Sequence, residues 1–383
     1  MVDFSYYVGL SFIVGKDYYN FLSLDLYNSH FLLPFSPRFR VIDFCLGTLY
    51  NAGLKKICIL SKESKEIIYD YVSKKWLNNT FFVFDNFDFN DFTFNFLLEY
   101  INENSINYIV FIFGSYPVWF EMDKFSKYIQ KTQNFAIYSN VFGKEIIHTI
   151  FLDKNLALKL LENYFLNKNS DIFEFSNIVN DLKLDCIEVK GYIYPINDIK
   201  DYYQIHLQMI DDYLLLDNFN AIVPILSEFS GINTAKFGKD AYIKNSIFGE
   251  NVEIEGYIEN SVIFTNVKIK KNAYIKNSLI FPGNHIGKKV RIINSIIDEF
   301  SEDNSLPNIE PNCKIGNENF TSYNINFPDI LNFGITLIGK DNKIPSNMEI
   351  GSNCYIDSFT SFSVLKKIKK LQNGYSILIS SNE

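Results

Sequence analysis

Two hydrophobic patterns divide the chain. In the first third, short β-prone runs alternate with stretches at helical spacing. Residues 6–14 (YYVGLSFIV), 55–61 (KKICILS), 80–85 (TFFVFD) and 107–113 read as strands. Between them, residues 39–53 (FRVIDFCLGTLYNAG) carry apolar positions three and four apart and stop at Gly53, which predicts a helix with a glycine C-cap. Residues 64–76 and 94–104 predict two more helices. A β-α-β rhythm of this kind predicts an α/β domain with a parallel, doubly wound sheet.

From about residue 235 the period changes. The dipeptide Asn-Ser recurs at 245, 260, 277 and 294, at spacings of 15, 17 and 17 residues. Ile243, Ile258, Ile275 and Ile292 each precede the asparagine by two positions. Further on, Ile338, Ile344, Ile350 and Ile356 stand six apart. A six-residue period predicts three short strands per coil, one aliphatic side chain pointing inward on each face, and Asn or Gly at the corners. Residues 235–300 and 334–383 are therefore expected to form a parallel β-helix. A loop inserted at about 300–333, containing Pro307, Pro311 and Pro328, would interrupt it. The implied domains are 1–230 and 231–383.

Composition narrows the partners. The net charge of −8 argues against a nucleic-acid ligand, whose phosphates need a basic face. No run of about 20 apolar residues predicts a membrane span, and the N-terminus has no basic start or cleavage site of a leader, so a cytoplasmic protein is expected. The five cysteines are far apart and odd in number, so buried thiols are expected rather than a zinc site or disulfide framework. The four histidines show no metal-ligand spacing.

The strand at 107–113 ends in Gly114, Ser115, Tyr116 and Pro117. In an open α/β sheet the reactive groups gather at such strand ends.

The segment LPFSPRFRVIDFCLGTLYNAGLKKICILSK (33–62) resembles the bacterial glucose-1-phosphate adenylyltransferases (ADP-glucose pyrophosphorylases). Pro34, Phe35, Arg38, Arg40, Asp43, Phe44, Leu46, Asn51 and Gly53 match that family's pattern without a gap. Residues 191–211 (GYIYPINDIKDYYQIHLQMID) resemble its G-Y-W-x-D segment, and 236–264 the start of its C-terminal domain. The resemblance implies a nucleotidyltransferase (GT-A, Rossmann-like) domain followed by a left-handed β-helix of hexapeptide repeats.

It also implies chemistry. In the family, the phosphate of glucose 1-phosphate attacks the α-phosphorus of ATP, and pyrophosphate leaves. A glycine-rich loop cradles the triphosphate, carboxylates hold Mg²⁺, and a basic side chain holds the sugar phosphate. Here the loop reduces to Gly15 and Lys16. The first metal acid aligns with Ser115 and the second with Pro195. The connection from 134–155 reads as running almost directly into the later strand, so the segment with the phosphate lysine is expected to be missing. Glu121 and Asp123 read as charges at a helix start. The lysine that the family uses toward effectors aligns with His30.

These departures imply a GlgD-type subunit: a regulatory, non-catalytic chain that needs no cofactor of its own, although Mg²⁺ would be required were it active. Its partner would be a catalytic paralogue, in a hetero- or homo-oligomer. Lys16, His30, Arg38, Arg40 and Asp43 would form the residual contacts for a sugar-phosphate or nucleotide effector. Three other readings remain: an active nucleotidyltransferase with rearranged ligands, an assembly scaffold without a small ligand, and a hexapeptide acyltransferase built on His285.

Overall fold

The computed structural model describes residues 9–14, 21–26, 30–61, 65–76, 80–85, 91–121, 134–141, 143–166, 175–190, 192–211, 235–303, 305–319 and 322–379. Gly15, Lys16 and Asp123 lie outside the described residues, as do positions 6–8 of the first expected strand.

The N-terminal part begins with β1 (Gly9–Val14), α1 (Ser23–Leu26) and a small antiparallel hairpin, β2 (Pro34–Phe35) with β3 (Phe39–Arg40). Then follow α2 (Val41–Asn51), β4 (Lys56–Ser61), α3 (Lys65–Lys75), β5 (Thr80–Asp85), α4 (Asp91–Glu103), β6 (Tyr108–Phe113) and β7 (Val118–Trp119). The expected helix at 39–53 starts two residues late, because Phe39 and Arg40 join the hairpin. It stops where expected: Gly53 has φ +76°, a conformation that glycine adopts without penalty.

The chain continues through β8 (Phe135–Val141), β9 (Lys144–Asp153), α5 (Lys154–Leu166), α6 (Phe175–Leu182), β10 (Asp185–Glu188), β11 (Tyr192–Ile193) and α7 (Ile199–Asp211). Seven strands form one sheet in the order β10-β8-β9-β6-β1-β4-β5. β6, β1, β4 and β5 are parallel, as the alternating pattern predicts. β9 departs from it and runs antiparallel to both β6 and β8. Its link to β8 is a tight turn with Gly143 at φ +79°, and a hairpin reverses the chain where a helical crossover would not. The expectation of a direct run from 134–155 into the next strand is corrected too, since α5 and α6 lie between.

Alternation places the core on both sheet faces. Ile13, Val110 and Ile112 pack with α2 and α3 on one face. Leu10, Phe12, Phe111 and Phe113 pack with α4, α5 and α6 on the other. Four of the five cysteines are buried; Cys186, on β10, is exposed.

The second part is a parallel β-helix with three inward columns. Ile254, Ile269, Ile286, Ile309 and Ile344 form one, and Ile258, Ile275, Ile292, Ile315 and Ile350 a second. Ile263, Ile280, Ile297, Ile338 and Ile356 form the third. The Asn-Ser repeat has a local cause. Asn245, Asn260, Asn277 and Asn294 turn one corner at φ between +44° and +47°. Their carboxamides form a ladder, with Asn260 Nδ2 donating to Asn277 Oδ1 at 2.8 Å and Asn277 Nδ2 to Asn294 Oδ1 at 3.1 Å. The serine hydroxyl beside each corner accepts the serine N–H of the next coil, at 3.1–3.2 Å. The stretch 300–333 is less of an interruption than expected: Ile309 and the strand Lys314–Ile315 return to the ladder.

Helix α7 joins the two parts. Its Tyr202, Tyr203 and Met209 share one apolar cluster with Val262, Phe264, Leu279 and Phe281 of the β-helix. Tyr203 Oη donates to the Asn277 carbonyl at 2.6 Å. No described helix is long and apolar enough to cross a membrane.

Candidate functional site

The end of β6 lies beside the end of β1, with Val14 opposite Phe113. This is the strand end at which an α/β sheet gathers its reactive groups. Gly114 continues the ladder by donating its N–H to Val14 O at 2.7 Å. A Cβ on Gly114 would overlap Ile13 Cγ2 and lie 2.9 Å from Phe31 Cε1. Apolar side chains therefore close over the strand end, and only glycine fits beneath them.

Ser115 is buried. Its carbonyl accepts the Nε2–H of His30 at 2.8 Å. His30 sits edge-on to Phe21 with ring centroids 5.0 Å apart, and burial lowers its pKa to about 4. A neutral ring donating from Nε2 follows. From the helix side, the Cys45 thiol donates to the Phe113 carbonyl at 3.4 Å, and burial pushes that thiol up to about 12.

Pro195 lies two residues beyond the end of β11. β7 pairs antiparallel with β11, Val118 facing Ile193, and Tyr194 N–H donates to Pro117 O at 3.3 Å. Tyr116 Oη closes the gap by donating to Asn197 Oδ1 at 2.5 Å. Continued by two residues, that register sets Pro195 across from Tyr116, the residue after Ser115. The groups set against the strand end (Ile13, Phe31, His30 and the Cys45 thiol) are not donors that magnesium accepts, since that ion takes carboxylate, phosphate and water oxygens. Among the described residues, the groups at this strand end do not fit the ion. Among the described residues no three His, Cys, Asp or Glu side chains gather as metal ligands.

The five binding candidates fall in different places. Lys16 lies outside the described residues. His30 serves Ser115. Asp43 points inward from the first turn of α2: its Oδ2 accepts the Arg40 N–H at 2.7 Å and the Tyr71 hydroxyl at 2.7 Å, and its Oδ1 accepts the Trp76 Nε1–H at 3.0 Å. Burial raises its pKa, against the pull of these donors and of Lys75. This carboxyl ties the helix start to α3 and has no face toward a ligand.

Arg38 and Arg40 do come together, on the β2–β3 hairpin at the seam with the β-helix. A cleft of about 20 Å³ there is lined by Ser36, Arg38, Arg40, Phe264, Thr265 and Pro282. It holds no more than a water. Arg40 Nη1 donates to Leu32 O at 2.9 Å, and the Arg38 guanidinium lies 5.8 Å from the Phe39 ring centre. The hairpin turns on Ser36 at φ +58°. His206 of α7 holds that turn: its Nε2 accepts the Ser36 N–H at 3.2 Å while Nδ1–H donates to Tyr202 O at 2.8 Å. His285, the acyltransferase candidate, is a buried ladder residue opposite Lys268.

Reading the residues one by one missed Phe31, Ile13, Asn197 and His206. A helical count over 199–211, with Tyr202, His206 and Met209 on one face, was the available signal for the last of these. Phe31 carried none, because its role depends on the distant Gly114.

Residues 232–324 match the family model described as GlmU-like, C-terminal hexapeptide. Over the longer chain, the glycogen biosynthesis protein GlgD of Bacillus subtilis (strain 168) is 24% identical across 62% of this chain and 74% of its own length. The glucose-1-phosphate adenylyltransferase of Lachnospira eligens is 35% identical across 48% of this chain and 41% of its own. That of Pseudothermotoga lettingae is 25% identical across 85% and 88%. The chain is thus similar both to glucose-1-phosphate adenylyltransferases and to glycogen biosynthesis proteins named GlgD.

Proposed function

We propose that this chain is a non-catalytic, regulatory subunit of a glucose-1-phosphate adenylyltransferase assembly, supporting ADP-glucose formation from ATP and glucose 1-phosphate in glycogen biosynthesis. One observation carries the reading: the strand end that would present a carboxylate to magnesium ends instead in a buried serine, under Phe31, Ile13 and His30. In-line phosphoryl transfer depends on positioned anion and metal contacts. Removing one electrostatic contact from such a site costs roughly 10²–10³ in rate, and here a buried serine stands in place of the carboxylate. The relatives named GlgD support the same reading. What the fold retains is contact surface and the Arg38–Arg40 hairpin, whose cations would meet a sugar-phosphate or nucleotide effector if the seam opened.

The test is co-expression with an adenylyltransferase of the same source that carries the glycine-rich loop and both acids, followed by sizing and assay of ADP-glucose. The two chains are expected to co-elute and the rate to change, while this chain alone releases no pyrophosphate with ATP, Mg²⁺ and glucose 1-phosphate. Separate elution with an unchanged rate sinks the subunit reading. Pyrophosphate release by the purified chain would make it an active transferase. Co-elution without any thermal shift from ATP, glucose 1-phosphate or ADP-glucose would leave a scaffold.

A further inference from the structure

The seven-stranded sheet ends in two edges, β10 and β5. An edge strand carries unpaired N–H and C=O groups, and proteins guard it with shortness, charge, proline or a bulge. β10 is guarded. It has four residues, and Asp185 and Glu188 stand at its two ends. A second copy laid antiparallel along it would set those carboxylates against each other, which is destabilising. β5 has no such guard. It reads TFFVFD, with no lysine, proline or glycine and no charge before its last position. Its register with β4 runs from Thr80 to Asp85 without a bulge, and among the described residues β4 is its one ladder partner.

One hydrogen bond shows which amides face the open side. Thr80 N–H donates to Lys55 O at 2.8 Å. Amides alternate sides along a strand, so Phe82 and Phe84 also turn theirs to β4, and Phe81, Val83 and Asp85 turn theirs outward. A two-fold axis at Val83 lets identical strands satisfy these groups. Val83 meets Val83 of the second copy, and Phe81 meets Asp85 of the second copy. The same register sets Phe82 across from Phe84 of the second copy, twice over, and aromatic pairs of this kind stabilise a sheet. The aromatic face is already assembled within one chain. The Phe82 and Phe84 rings are parallel with centroids 6.4 Å apart, and Phe82 packs edge-on to Phe96 at 5.7 Å and to Tyr100 at 4.7 Å. Phe82, Phe84 and Tyr100 are only partly buried, and Phe96 is 40% accessible. Charge favours the same place. A net charge of −8 makes two copies repel, and Thr80–Phe84 is a stretch with no charge to add to that repulsion.

We propose that two copies of this chain pair antiparallel through β5, joining their sheets across a two-fold axis. The pairing stands apart from the regulatory reading, because the purified chain tests it without a partner or an assay. The full chain is followed by sedimentation equilibrium and by hydrogen exchange over rising concentration. A dimer is expected, with exchange at 80–85 slowing as it forms and exchange at 185–188 unchanged; this readout needs no variant. Two variants guard the edge. Phe81→Pro removes an outward N–H and none of the donors to β4. Phe84→Lys replaces both aromatic pairs and should weaken association about tenfold or more. Both side chains are half-buried, so a thermal melt checks that each variant folds. The proposal fails if the chain is a monomer throughout, if a dimer forms while 80–85 exchange as before, or if the folded variants associate like the wild type. It also fails if 80–85 are protected only when the adenylyltransferase is co-expressed, since the edge would then belong to that partner.

Discussion

At the scale of single residues, the site is defined by what fills it. Gly114 exists because Ile13 and Phe31 occupy the space a Cβ would need. Gly114→Ala should therefore cost about 1–3 kcal/mol of stability, the usual penalty of overpacking a closed core, read as a lower urea midpoint at unchanged slope. A midpoint equal to the wild type would mean that the strand end is loosely packed and could still admit a ligand. Restoring the family's acid alone is not enough. Ser115→Asp places a carboxylate among Phe31, His30 and the Cys45 thiol, where burial favours its neutral form. It should destabilise the chain and give no magnesium-dependent pyrophosphate release; measurable release would show that the remaining groups form a working site. Asp43 illustrates the opposite case. It matches the family pattern, yet its oxygens take the Arg40, Tyr71 and Trp76 donors. Truncation to Ala strands those donors, at about 1–3 kcal/mol, without touching any anion.

At the scale of elements, what was legible from sequence is what repeats or alternates. The helix ending at Gly53, the strand 55–61 and the inward isoleucines follow from period alone, because each depends on neighbours three to six residues away. The antiparallel β9, the inserted α5 and α6, and the return of Ile309 and Lys314–Ile315 to the ladder do not, since each is set by partners far along the chain. The candidate site divides in the same way. Ser115 and Pro195 could be placed by counting along motifs, but their closure depends on Phe31, distant from Gly114 in sequence. The Asn-Ser repeat marks where the coil was most legible, and it gives a test of the coil's stability. Asn277 turns a corner at φ +47° and links the carboxamides of Asn260 and Asn294. Asn277→Ala loses both hydrogen bonds and puts a β-carbon with no side-chain compensation into a left-handed turn, which should cost roughly 1–3 kcal/mol. Asn277→Gly keeps the turn and should recover part of that loss. If the two variants melt together, the amide ladder and not the backbone conformation carries the effect.

At the scale of the whole molecule, the seam between the two parts holds a titratable group. Phe264, Phe281 and Asp298 follow the matched positions Ile263, Ile280 and Ile297, so Asp298 continues an aromatic column packed against α7. Asp298 is 5% accessible; its Oδ1 accepts the Glu299 N–H at 2.7 Å, and its Oδ2 has no hydrogen-bond partner among the described residues. Burial raises its pKa from 3.8 to about 7, with Glu299 and Asp341 adding to the rise and the Glu299 N–H and Lys340 opposing it. The folded state thus keeps a proton that the unfolded chain has already lost, and stability falls as pH rises through this window. Three buried histidines act in the opposite sense: burial lowers His30 and His206 to about 4 and His148 to about 3, so their contribution is lost as pH drops below 6.5. Between pH 6.5 and 8 the unfolded chain sheds the remaining half of these histidine protons, so the three together still add roughly 1 kcal/mol of stability over that range. Integrating the linkage for Asp298 alone over the same range gives a loss of roughly 1 kcal/mol, which offsets the histidines and keeps the wild-type thermal midpoint nearly level. Asp298→Asn keeps the shape and removes the charge, so its midpoint should rise by a few degrees or less over that range and exceed the wild type at pH 8. Every other group is common to both proteins, so the difference between the two curves isolates this carboxyl. Parallel curves would mean that Asp298 is ionised at the seam throughout, and that the two parts of the molecule meet across a wetter interface than the packing of Phe264 and Phe281 requires.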